Sequence, residues 1–197
     1  KLGIIVVYLM NENDDELLKI HLDFIKKNTP QNFTIYAAAN RLHKHLKRIL
    51  ENEDAVQICD IPTTNLRISY ENSYYLEELI KIAIEDSCTH IAFFHPDSFP
   101  IKYNWFQKII DNVENNLVFA SIVSDIGTNN KPHSSFILFP IDFYSNYNPK
   151  LIPENDELKS NSFKDYVAKY KTIFETGIGY GYCLYQNNIP FHKLLVS

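Results

Sequence analysis

Short apolar runs that alternate with amphipathic segments are the feature that most constrains how this chain can fold. The runs are rich in β-branched and aromatic residues and end in polar loops, which predicts buried strands at 3–10, 33–39, 56–59, 91–94 and 117–123. Apolar residues recur at helical spacing between them, which predicts helices at 16–28, 42–52, 71–86 and 104–115. This β-α-β order predicts an α/β protein with a single domain and a mostly parallel sheet covered by helices on both faces.

The last third of the chain is less regular and rich in aromatic residues. We predict a strand at 136–139, an irregular polar segment at 140–162, a helix at 163–170, and strands at 180–186 and 191–196. A length of 197 residues suits one domain with a full core.

Composition excludes several classes of function. The net charge of −5 argues against nucleic acid as a partner, because phosphate binding needs a basic face. No apolar run approaches the roughly 20 residues of a membrane-spanning helix. The three cysteines are far apart, which predicts neither a disulfide framework nor a zinc site and favours a reducing compartment. The chain has no G-x-S-x-G elbow and no Walker A loop. It also has no glycine-rich loop after the first strand, which argues against dinucleotide binding and nucleotidyl transfer.

The segment His90 to Trp105 carries the strongest chemical signal. A predicted central strand ends in His95-Pro96-Asp97-Ser98, and Pro100 follows. Neither proline can donate a ladder hydrogen bond, so the strand must stop there. Ligands of open α/β sheets bind at the carboxyl ends of the strands, so His95, Asp97 and Ser98 are candidate ligand-binding residues.

An apolar strand, then x-x-D-S-x-P, then a helix containing Trp resembles the donor-binding segment of GT-A glycosyltransferases, in particular family-2-like bacterial enzymes. Their strand ends in Asp-x-Asp, where this chain has His-Pro-Asp. The resemblance implies a GT-A, Rossmann-like fold, with residues 1–125 binding a nucleotide sugar and residues 126–197 facing the acceptor.

A divalent ion is the cofactor that the resemblance implies. Asp97 is the first candidate ligand, His95 lies two residues earlier, and His192 is a third candidate by position. Mn²⁺ suits the histidine-carboxylate pair better than Mg²⁺, which prefers oxygen ligands. The alternatives are that Asp97 and Ser98 only form a turn and a helix cap, that His95 only packs, and that His192 is an ordinary strand residue.

Further residues are candidates for contact with the nucleotide-diphosphate sugar. Asn40 follows the second predicted strand and can hydrogen-bond a base edge. Arg67 and Asn72 belong to an asparagine-containing loop before the third helix, and a guanidinium suits phosphate oxygens. A surface salt bridge is the alternative role for Arg67.

An inverting transferase also needs a general base, usually a carboxylate. Glu175 in F-E-T-G-I-G-Y-G-Y is the first candidate, with Asp125 and Asp142 as rivals; a capping role is the alternative for Glu175. The three clustered glycines allow close backbone approach or positive φ, and their spacing is not that of a phosphate-binding loop.

The resemblance implies transfer of a sugar to a bacterial surface glycan, in polysaccharide biosynthesis. It also implies a glycan or lipid-linked acceptor, a cytoplasmic location or one at the inner face of the membrane, and a homo-oligomer as one option. The alternative is a non-catalytic GT-A-like domain that acts as a binding or scaffold unit of a larger protein.

Overall fold

Seven strands form one twisted sheet in the computed structural model, which describes residues 1–112, 120–123 and 132–194. The order across the sheet is β3-β2-β1-β4-β6-β5-β7. The strands are β1 (Leu2–Val7), β2 (Phe33–Ala38), β3 (Val56–Ile58), β4 (His90–Phe94), β5 (Ala120–Val123), β6 (Pro132–Pro140) and β7 (His192–Leu194). The predicted mostly parallel sheet is confirmed.

The direction of the strands decides where a ligand site can lie. β1 pairs in parallel with β2 and β4, and β2 pairs in parallel with β3, so all four strands end at the same edge of the sheet. β6 is antiparallel to both β4 and β5, which the alternating pattern of the first 125 residues did not predict. Its amino end therefore lies beside the carboxyl end of β4.

Helices cover both faces of the sheet, as predicted. They are α1 (Asp15–Asn28), α2 (Lys44–Glu51), α3 (Ile68–Glu85), α4 (Trp105–Asn112), α5 (Ile141–Tyr147), α6 (Asn155–Lys159), α7 (Asn161–Tyr170) and α8 (Ile178–Gln186). Alternate residues of β1 point to opposite faces: Ile5 joins the core under α3, α5 and α8, and Ile4 joins the core under α1, α2 and α4. The ends of the predicted segments 104–115, 117–123 and 191–196 lie partly outside the described residues.

Two predictions for the last third were wrong. The strand predicted at 180–186 is helix α8, and the irregular segment predicted at 140–162 contains α5 and α6. Every residue of α8 from Ile178 to Leu184 is buried, so the helix has no polar face to reveal its period. A short apolar run that is buried all round cannot be assigned to strand or helix from its pattern.

The three clustered glycines are needed for the packing of α8. Gly177 has φ +91°, a left-handed conformation that starts the helix. A β-carbon at Gly179 would overlap the backbone carbonyl of Lys150, and one at Gly181 would overlap the hydroxyl of Tyr166. The glycines therefore let α8 lie directly against its neighbours.

We expect Gly181→Ala to destabilise the protein by about 1–3 kcal/mol, because the added β-carbon would overlap the hydroxyl of the buried Tyr166 and force its ring to shift. In a Tyr166→Phe background most of the cost should disappear, since the overlap is with the hydroxyl and alanine is a better helix former than glycine. Urea unfolding of the four proteins in this cycle measures the coupling. Gly179→Ala is the matched control: its clash is with backbone, so Tyr166→Phe should not rescue it. Equal costs of Gly181→Ala in both backgrounds would contradict this account.

Candidate functional site

A cleft of about 490 Å³ lies where β1 and β4 end and α3 begins. Its volume is in the range of small-molecule sites. Its polar lining residues come from four separate parts of the chain and are Asp14, Ser69, Asn72, His95, Asp97 and Thr176. The fold therefore brings together His95 and Asp97, which follow β4, and Asn72, which lies near the amino end of α3.

The residues after β4 form a hydrogen-bonded turn. The Ser98 N–H donates to the His95 carbonyl at 2.9 Å, and the Ser98 hydroxyl donates to Asp97 Oδ1 at 3.3 Å. The His95 N–H donates to the Ser135 carbonyl on β6 at 3.3 Å. The next helix begins only at Trp105, so Asp97 forms the turn without capping that helix, and its side chain is exposed toward the cleft.

His95 is held as a mostly buried imidazole at the floor of the cleft. Its Nδ1 lies 3.4 Å from the Ser135 hydroxyl, and its ring centroid lies 6.5 Å from that of His133. Burial lowers the pKa of His95 more than the charges of Asp97 and Glu175 raise it. Its Nε2 has no hydrogen-bond partner among the described residues. The ring is therefore neutral near pH 7 and keeps one nitrogen for a ligand.

A second histidine, His21 of α1, supports the turn from below. It is fully buried, and its Nδ1 lies 3.2 Å from the hydroxyl of Tyr8. The ring packs edge-on against Phe99 at a centroid distance of 6.3 Å. The backbone carbonyls of His95 and Ser98 and the charge of Asp97 raise its pKa, but burial outweighs them and lowers it to about 4.

Thr176 ties the segment before α8 to the amino end of α3. The Asn72 amide donates to the Thr176 hydroxyl oxygen at 3.4 Å, and that hydroxyl donates to the Ser69 carbonyl at 3.3 Å. Glu175 is the neighbour of Thr176 and is half-buried. These bonds place Glu175 beside the cleft, where its charge acts on His95.

Two predicted donor contacts lie beside the cleft rather than in it. Asn40 lines an adjoining cavity of about 580 Å³ at the ends of β2 and β3, and its amide donates to the Ile61 carbonyl at 2.7 Å. Arg67 is exposed immediately before α3 and has no salt bridge within the part of the chain that the structure describes. Arg41, the residue after Asn40, pairs with the buried Glu71 of α3 at 2.9 Å.

Two other predicted site residues are not brought to the cleft. His192 lies on β7, three strands from β4 in the sheet, or roughly 14 Å at about 4.8 Å per strand. It therefore cannot share an ion with Asp97. Asp142 lies in the first turn of α5, which follows Pro140. Pro140 pairs with His90 at the start of β4, the end opposite the cleft, so the prediction of Asp142 as a rival base is wrong. Asp125 lies outside the described residues.

Among the described residues, at most two His, Cys, Asp or Glu side chains could bind a metal ion here. Across 1–112, 120–123 and 132–194, no group of three or more His, Cys, Asp and Glu side chains could hold an ion. The unpartnered Nε2 of His95 and the exposed carboxylate of Asp97 do fit an ion whose remaining ligands are phosphate oxygens and water.

Sequence reasoning missed the residues that position this site. His133 and Ser135 precede the predicted strand 136–139, although β6 begins at Pro132. A predicted strand that began at Pro132 would have included both residues. Only the antiparallel pairing of β6 with β4, however, places Ser135 beside His95. His21 was visible only as a histidine among the apolar positions of α1.

Solved structures with the same arrangement of elements identify the fold. The galactosyltransferase LgtC, in complex with donor and acceptor sugar analogues, matches 96% of this chain over 72% of its own at 8% identity and a TM-score of 0.55. The mannosyltransferase PcManGT from Pyrobaculum calidifontis, in complex with GDP-Man and Mn²⁺, matches 90% over 55% of its own at 11% identity and a TM-score of 0.52.

The chain has the GT-A fold. The same fold also occurs in 4-diphosphocytidyl-2C-methyl-D-erythritol synthase from Anaerococcus prevotii, which matches 99% of this chain over 87% of its own at 12% identity and a TM-score of 0.54. The structural matches establish the GT-A fold. At identities this low, the activity must be argued from the site itself. No protein-family model and no curated protein matches the chain. Within the described residues, no helix of this GT-A domain is long and apolar enough to cross a membrane.

We expect His21 to make the stability of this GT-A domain depend on pH. The unfolded histidine takes up a proton near pH 6.5, but the folded one does so only near pH 4, so stability is complete above pH 6.5 and falls as the pH drops toward 4. The loss should reach on the order of 3 kcal/mol. Urea unfolding of the wild type and His21→Phe at pH 8, 6 and 5 measures it. The difference in unfolding free energy between the two proteins at pH 8 gives the cost of the changed packing. If the stabilities of the wild type and His21→Phe then fall in parallel as the pH drops, His21 is not the group responsible.

Proposed function

We propose that this protein is a glycosyltransferase that moves a sugar from a nucleotide-diphosphate donor to a bacterial surface glycan. One observation carries the proposal: the cleft at the ends of β1 and β4 joins His95, Asp97 and Asn72 at the amino end of α3. The start of a helix favours negative charge because its first N–H groups point outward and its dipole is positive there. A diphosphate is the ligand chemistry that suits this combination.

The donor would lie across this cleft with its diphosphate near α3. Asp97 and the neutral His95 would hold Mn²⁺ or Mg²⁺, and such an ion offsets the charge that develops on the leaving diphosphate. Asn72, Ser98 and the exposed Arg67 would contact phosphate or sugar oxygens, and Asn40 would reach the base from the adjoining cavity. Residues 1–125 would then be the nucleotide-sugar half.

The acceptor would approach from the side of residues 126–197. Glu175 is the candidate base because it is half-buried and close enough to His95 to influence its pKa. In an inverting reaction its carboxylate would take the proton of the acceptor hydroxyl as that oxygen attacks the sugar. Asp125 remains a second candidate base. A lipid-linked acceptor, a position at the inner face of the membrane and a homo-oligomer belong to this proposal.

Nucleotidyl transfer and a non-catalytic role are the two alternatives to this function. Nucleotidyl transfer is disfavoured because the segment after β1, from Tyr8 to Asp14, contains no glycine to cradle a triphosphate. A non-catalytic GT-A-like domain is favoured by the presence of histidine where Asp-x-Asp enzymes have their first carboxylate. The effect of replacing Asp97 distinguishes this scaffold role from an enzyme.

A thermal-shift panel with UDP, GDP, CDP and dTDP, each with and without Mn²⁺, tests the proposal. A ligand at about 100 times its Kd should add roughly 2.7 kcal/mol, which raises the Tm of a domain of this size by roughly 5 to 10 °C. We expect a Mn²⁺-dependent rise with one nucleotide in the wild type. Asp97→Asn should remove most of that rise and leave the unliganded Tm nearly unchanged, because its side chain is exposed.

Asp142→Asn is the matched control, since Asp142 is also exposed but lies at the opposite edge of the sheet. It should keep the full response. A response that survives in Asp97→Asn would remove Asp97 from the metal site. No response to any nucleotide would overturn the transferase proposal and leave the scaffold role.

A further inference from the structure

A second cavity of about 500 Å³ lies between α7, α8 and the segment that leads into β7. It shares no lining residue with the donor cleft. Aromatic rings form much of its wall, contributed by Tyr170 of α7, Tyr185 of α8 and Phe191 before β7. Tyr170 and Tyr185 are only half-buried, so part of their surface faces the cavity.

Positive charge lies over these rings. Lys169 Nζ is 5.3 Å from the ring centroid of Tyr170 and 5.1 Å from that of Tyr185. Lys193 Nζ is 6.0 Å from the centroid of Phe191. The described residues that line the cavity include these two lysines and no aspartate or glutamate, although the chain as a whole carries a net charge of −5. An anion in the cavity would be attracted to both ammonium groups.

A buried polar atom also borders the cavity. Tyr166 is 2% exposed, and its hydroxyl has no hydrogen-bond partner among the described residues. The hydroxyl lies against Gly181, which lines the same cavity and has no side chain to cover it. A buried hydroxyl without a partner costs free energy, which a ligand oxygen would recover.

The segment that leads into α8 runs from the donor cleft to this cavity. Thr176 lines the cleft and Gly181 lines the cavity, five residues further along. Thr176 precedes α8 and Gly181 lies in the first turn of the helix, so the two sites share one short stretch of chain. Glu175, the candidate base, lies at the cleft end of this stretch and acts on the pKa of Tyr166.

We propose that this cavity binds an anionic sugar of the acceptor, with its carboxylate or phosphate at Lys169 and its ring on the tyrosines. The apolar C–H face of a sugar ring packs on an aromatic side chain, and a neutral sugar would not need the lysines. A long polyanion is disfavoured by the negative net charge of the protein. The inference rests on the proposed function in naming the ligand an acceptor, and it makes that acceptor an acidic glycan.

NMR titration of the full chain with four probes tests the binding directly, without nucleotide. The probes are glucuronate, glucose 6-phosphate, glucose and acetate. We expect at least one of the two anionic sugars to shift resonances of α7 and α8, and to bind at least tenfold more tightly than either glucose or acetate. Which anionic sugar binds better shows whether carboxylate or phosphate is the recognised group.

Lys169→Gln should weaken the anionic sugars about fivefold, the effect of one partly exposed ion pair. Lys164→Gln is the matched control, because Lys164 is an exposed lysine of the same helix that does not line the cavity. Its affinities should equal those of the wild type. Equal binding of glucose and the anionic sugars, equal losses in both variants, or no binding of either anionic sugar would overturn the inference.

The readout is independent of the nucleotide panel. If no anionic sugar binds but the Mn²⁺-dependent nucleotide response is intact, only the inference of an acidic acceptor is rejected. If an anionic sugar binds but no nucleotide gives a response, the transferase proposal is rejected and the cavity remains a site for an anionic sugar.

Discussion

The antiparallel pairing of β4 with β6 is the contact on which the candidate site depends. Pro96 ends β4, and the chain turns back on itself through the bond between Ser98 and His95. The bond from the His95 N–H to the Ser135 carbonyl continues the strand pairing one residue beyond β4. It thereby fixes where the imidazole sits. His21 of α1 packs against Phe99 beneath the turn, so the turn is supported by a helix as well as by the neighbouring strand.

The first two-thirds of the fold could be predicted because the strands there are short runs rich in β-branched residues and the helices have one apolar face. β1 is buried on both faces and reads as an unbroken apolar run, whereas α3 shows one apolar face over eighteen residues. Parallel strands joined by such helices must end at one edge, so the position of Asp97 at that edge followed from sequence. The resemblance to GT-A enzymes added the donor chemistry, and the solved structures confirm the fold.

The rest of the site depended on information that no local pattern contains. A strand's direction is set by tertiary pairing, and the reversal at β6 determined which residues meet His95 and which lie at the far edge, such as Asp142. His192 was chosen by position in the chain, but the sheet order separates it from β4 by two strands. Helix α8 escaped prediction because complete burial removes the contrast between a polar and an apolar face.

Helix α8 also limits how the second cavity could change during evolution. The helix lies directly against a backbone carbonyl and a tyrosine hydroxyl, and its residues are buried on every side up to Leu184. Few substitutions there would leave the fold intact, so α8 is a fixed wall of the second cavity. A change in the shape or charge of that cavity would have to arise on its other walls, where side chains of α7 and of the segment before β7 reach solvent. The helix that forms one wall of the cavity is thus the part with the least freedom to vary.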